Sequence, residues 1–132
     1  MDSCFVSPRL ANYSKSKLSI FRPGRSHLFL AQMYTAYCAV CHGTNAKGNG
    51  PAAEALKVPP PDLTALARKN GGKYPSDHVR SAIEGDVRLL ARGPKEMPVW
   101  GDLFWRMSQG HSSEVQLRVS NLNKYIESLQ AK

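Results

Sequence analysis

Cys38-Ala39-Val40-Cys41-His42-Gly43 is the stretch that decides how the rest of this chain is read. Two cysteines three residues apart lie about one helical turn from each other, on one face. Thiols so placed can each add to one of the two vinyl groups along a porphyrin edge. The histidine that follows then swings beneath the ring and reaches its iron. C-x-x-C-H is the pattern of covalent c-type haem attachment. Two other chemistries share the cysteine spacing. A thioredoxin-like dithiol needs a βαβ setting, and the flanking sequence shows none. A zinc site needs about four ligands. His42, His78 and His111 are candidates beside the cysteines, but no second pair has ligand-like spacing. The motif therefore predicts one covalently attached haem c.

Upstream, Leu30, Met33, Tyr34 and Tyr37 recur at helical spacing, so a helix is expected from about His27 to Val40 with Ser26 as its cap. Gly43 stops it. Downstream, Gly48-Asn49-Gly50 makes a loop, Pro51 opens a short helix through Lys57, and Pro59-Pro60-Pro61 forces an extended stretch. Asp62 or Thr64 starts another short helix that ends near Asn70-Gly71-Gly72. Ser76 caps a third, with Val79, Ala82 and Ile83 on its apolar face and Gly85 at its end. Residues 85–98 read as a loop holding Arg88, Arg92 and Pro94; the safer role for these arginines is solvation, although they also suit a propionate. A short apolar segment runs from Val99 to Met107. The last helix starts at Ser112 with Glu114 in its first turn. It continues through Val115, Leu117 and Val119, and Leu122, Tyr125, Ile126 and Leu129 complete its apolar stripe. Neither strand-like alternation nor an internal repeat is present. The predicted class is all-α, several short helices between two longer ones.

A chain of 132 residues suits one domain. No stretch approaches the roughly 18 apolar residues that would span a bilayer. The formal charge is +8, and residues 1–27 hold five Lys/Arg against one Asp. These residues are also Ser-rich and broken by Pro8 and Pro23-Gly24, so 1–27 read as a disordered or non-native segment and 28–132 as the domain. They resemble an organelle transit peptide more than a secretory signal, because no apolar h-region is visible. Positive charge serves solubility, or steers toward an acidic partner or an anionic membrane surface. No nucleic-acid motif or basic-aromatic patch accompanies it. Cys4 is left over and is assigned no role.

From about Leu28 onward the chain resembles a monohaem class I cytochrome c of bacterial type. Tyr34 matches the aromatic of the first helix, and Cys38-Ala-Val-Cys-His-Gly matches the attachment site. Gly48-Asn-Gly-Pro51 resembles the loop whose proline carbonyl accepts a hydrogen bond from the proximal imidazole. Met97-Pro-Val-Trp-Gly101, followed by Leu103-Phe104, resembles the distal-ligand segment. The resemblance implies short helices wrapped around one haem, with iron held by His42 and Met97 and Pro51 orienting His42. Met97 stands in a loop restricted by Pro94 and Pro98, 55 residues beyond His42. Met107 is the alternative sulfur, with core burial as its simpler role. Trp100 and Trp105 read first as core aromatics, and Trp100 also as a propionate contact through its indole N–H. His78 and His111 read as surface or capping residues. One departure is Leu30 where the family often has glycine; it predicts a wider crossing of first and last helices with Tyr125 displaced, or a foreign segment upstream of Ala31.

The implied role is one-electron transfer with redox partner proteins, acidic or membrane-bound, and no catalytic group in the protein itself. Attachment chemistry of this type places the protein in the periplasm or on a membrane facing it, although no export signal is visible. The alternatives are a five-coordinate haem that binds a gas or peroxide, and a cytochrome subunit of a larger oxidoreductase.

Overall fold

The computed structural model describes residues 23–85 and 97–131. Expectations for Cys4, the basic segment before Pro23, Arg88, Arg92 and Pro94 lie outside them. Among the described residues there are six α-helices and no strand. These are α1 (Pro23–Tyr37), α2 (Ala39–His42), α3 (Leu66–Lys69), α4 (Ser76–Glu84), α5 (Trp100–Met107) and α6 (Ser112–Ser128). Single 3-10 turns lie at Ala53–Ala55 and Leu63–Ala65. The all-α class is as expected.

The two long helices, α1 and α6, pack on each other, and α4 and α5 both pack on α6. Val115, Val119, Leu122 and Ile126 are buried along α6 at the spacing of one helical face. They meet Met33 and Tyr34 of α1, Val79 and Ile83 of α4, and Phe104 of α5 in one core. Leu117 is off this stripe and is exposed. The Tyr125 ring lies between those of His27 and Tyr34, with centroids 5.6 and 5.2 Å away. Side-by-side aromatics supply a contact that a bare backbone approach would otherwise make.

Buried polar groups are paired across elements. Asn123 of α6 accepts the Tyr74 hydroxyl at 2.8 Å and donates to the Ser76 carbonyl and hydroxyl at 3.1 and 2.9 Å. Ser76 is thus the first residue of α4 rather than its cap, and its hydroxyl serves α6; Pro75 occupies the cap position. Several other boundaries differ. α1 begins at Pro23, which puts Ser26 inside the helix. Pro51 starts a turn, and only Ala53–Ala55 is helical. His111 caps α6 and its Nδ1 lies 2.6 Å from the Ser108 carbonyl, while His78 is exposed; both fit the surface and capping roles expected. Trp105 and Met107 are corrections: both are about half exposed, since Phe104 takes the buried position of α5.

Candidate functional site

The helix does not run unbroken through the cysteines. Cys38 forms a turn between α1 and α2, and its N–H still bonds to the Tyr34 carbonyl at 2.8 Å. The His42 N–H returns to the Cys38 carbonyl at 2.9 Å, so one turn of helix carries Cys38, Cys41 and His42. The Cys38 side chain is buried against the core and Cys41 is half-exposed. Neither is in a disulfide. Burial pushes the Cys38 thiol up to about 12, helped by Cys41, so the proton stays on sulfur at neutral pH. Two thiols and a histidine on one turn fit covalent addition to a cofactor edge.

Three glycines let the following loop close on this turn. Gly43 ends α2 at φ 81°, and its carbonyl accepts the buried Tyr34 hydroxyl at 2.9 Å. Gly50 lies directly against the backbone of Ala39, Val40 and Cys41, where a Cβ would collide. Gly48, at φ 80°, lies against the Pro60 carbonyl in the same way.

His42 is 92% buried, its relative exposure being 8%. Burial lowers its proton affinity, and a backbone contact to Pro61 partly restores it. Its Nδ1 lies 3.4 Å from the Pro61 carbonyl. The acceptor expected at Pro51 is therefore found at Pro61. Pro51 is exposed on the turn that Gly50 and Ala52 fasten to Val40 and Cys41, whereas the proline run brings the Pro61 carbonyl to the imidazole Nδ1. With Nδ1–H directed at Pro61, the lone pair of the imidazole stands on Nε2, the atom available to a metal.

Met97 and Trp100 are both half-buried and pack against the core. The Trp100 ring lies 5.4 Å from Tyr37 and 5.9 Å from Phe104, as a core aromatic should. Tyr37 immediately precedes Cys38, so this contact ties the 97–100 segment to the attachment turn. The segment is also seated from below. Gly101 lies against the Glu84 carbonyl and Gly85 against Val99, leaving no room for a Cβ at either position. Sequence reasoning took Gly85 only as a helix stop and missed the role of Gly101, Pro61 and Tyr34–Gly43; a glycine at the start of a helix was the one visible signal.

Among the described residues no three His, Cys, Asp or Glu side chains gather as a metal site, so a four-ligand zinc centre finds no support there. The donors that do gather are those a c-type haem needs. Searches of curated proteins and of solved structures each returned no match. A Cytochrome c family model matches residues 31–130, which include the attachment turn, the 97–100 segment and all of α6. The chain belongs to the cytochrome c family, whose members carry a haem c and transfer electrons.

Proposed function

We propose that Cys38 and Cys41 hold one haem through two thioethers, with His42 and Met97 as its axial ligands. Bound there, haem supplies a one-electron couple at its iron. The chain's own residues set the conditions of that couple. Each thiol adds its S–H across one vinyl double bond, a reaction without net oxidation. His42 presents Nε2 because Pro61 takes its other N–H. Met97, held at the core edge, would supply the second iron ligand and so leave no position for a substrate. The observation that carries the reading is the single turn bearing Cys38, Cys41 and His42, with the imidazole secured at Nδ1.

The protein serves as an electron carrier between redox partner proteins, of the bacterial monohaem type, on the periplasmic side of a membrane. Among the described residues no helix is long and apolar enough to cross one. The test is acid-acetone extraction followed by a pyridine haemochrome spectrum. Colour should stay with the protein and show a two-thioether band. Cys41→Ala should shift that band to the one-thioether position; release of haem from the unaltered protein would sink the proposal.

A further inference from the structure

Gln130, two residues beyond the end of α6, is tied to the segment around Leu63–Ala67. Its side-chain Nε2 donates to the Leu63 carbonyl at 2.7 Å and to the Ile126 carbonyl at 2.8 Å. Its Oε1 accepts the Ala67 N–H at 2.9 Å, and the adjacent Ala131 N–H bonds to the Thr64 carbonyl at 2.9 Å. Three of these bonds, to Leu63, Thr64 and Ala67, bridge 63 to 67 residues of sequence and land on the turn after Pro61 and on the start of α3. Leu63 N–H bonds to the Ala46 carbonyl at 2.8 Å, and Gly48 abuts the Pro60 carbonyl. Pro61 itself is exposed and has no N–H with which to fix its own position.

We propose that Gln130 is a positioning residue for the proximal imidazole: by holding the Leu63 carbonyl it keeps the Pro61 carbonyl on His42 Nδ1. The inference rests on His42 being the iron ligand. The Pro61 contact is long, at 3.4 Å, so a small shift of the segment decides whether the bond is made. A made bond raises the basicity of the ligating nitrogen and favours oxidised iron. Losing it raises the midpoint potential.

Two variants of the holoprotein separate the contacts. Gln130→Ala removes all three side-chain bonds. Gln130→Glu keeps an acceptor for Ala67 but replaces the donor to Leu63 with an oxygen. A third, Tyr74→Phe, removes the hydroxyl bonds to Asn123 and lowers stability without touching the segment. Readouts are the potential, and the shift and solvent exchange of the His42 Nδ1–H proton in the reduced protein. Both Gln130 variants should move the resonance, speed its exchange roughly fivefold and raise the potential. Tyr74→Phe should lower the melting temperature and leave resonance and potential alone. Gln130 variants that lose stability but keep the wild-type resonance and potential overturn the proposal. Failure of the ligation itself looks different: in the reduced unaltered protein, the His42 ring protons would then lack the strong upfield shift that a porphyrin ring current gives a ligating imidazole.

Discussion

Tyr34 reaches past its own helix to donate its hydroxyl to the Gly43 carbonyl, and so spans the whole attachment turn with one side chain. That carbonyl also accepts the Ala46 N–H at 3.1 Å, so Tyr34→Phe leaves no orphaned group. Its expected cost is about 1 kcal/mol in denaturant unfolding of the holoprotein, with the haemochrome spectrum unchanged; a shifted spectrum would mean that the hydroxyl shapes the site itself. Met97 makes the opposite case, in which function changes more than stability. Met97→Ala should abolish the weak charge-transfer band at the red end of the oxidised spectrum, lower the potential and admit an external ligand such as imidazole. Met107→Ala should keep the band, because Met107 is exposed on α5. Retention of band and potential in Met97→Ala would remove both the ligand assignment and the closed-shell carrier built on it. Residues at this scale were legible where chemistry demands a fixed spacing, as in Cys38, Cys41 and His42. Pro61 was not, because its carbonyl is one of several in a run of prolines and only the folded loop selects it. Trp105 and Met107 misled because apolar character alone does not say which side of a short helix faces inward.

At the scale of elements, short helices depend on their ends. Asp62 caps the turn at Leu63–Ala65, accepting the Thr64 N–H at 2.8 Å and its hydroxyl at 2.6 Å. The Thr64 hydroxyl, then the Thr64 N–H, hold the carboxyl below its usual range; burial partly opposes them, and Lys47 and Lys69 add still smaller lowering contributions. The folded-state value is therefore depressed. Its contribution is fully present above the unfolded carboxylate value of about 3.9 and is lost as pH falls through the folded value. Asp62→Asn keeps a cap but cannot titrate, so its acid unfolding curve should be shallower below about pH 4. An unchanged curve would mean that the capping bonds are not made in solution. The seat between α4 and α5 gives a second test. Gly101→Ala places a methyl against the Glu84 backbone, which cannot swing aside as a side chain can. It should cost about 1–3 kcal/mol and weaken the red band, because the 97–100 segment hangs from that crossing; wild-type stability would contradict the close approach. Helix existence was readable from periodicity for α1, α4 and α6, whereas α5 read only as a short apolar segment. The break at Cys38 was not, since nothing in Tyr37-Cys38-Ala39 opposes helix locally and tertiary closure of the following loop imposes the turn.

For the whole molecule, net charge governs how partners meet it. The chain carries 18 Lys/Arg against 10 Asp/Glu. Two of those cations, Lys47 and Lys69, lie close enough to act on Asp62, on the side of the molecule that carries the proline run. Like-signed charge of this size steers diffusion without deciding affinity, and gains of about 10- to 1,000-fold in association rate are typical at low salt. The screening length falls from about 30 Å at 0.01 M salt to about 8 Å at 0.15 M. Electron transfer to an anionic redox protein should therefore slow steeply as salt rises across that range, whereas transfer to a cationic one should quicken. Stopped-flow oxidation of the reduced protein by one acidic and one basic acceptor makes the comparison, with small neutral oxidants as the control for intrinsic rate. Lys47→Gln and Lys69→Gln together should flatten the salt dependence with the acidic acceptor and leave the small-oxidant rate alone, since neither side chain belongs to the haem site. A double variant that keeps the full wild-type salt slope would move the docking face away from the proline-run side and leave the remaining excess charge to account for the steering.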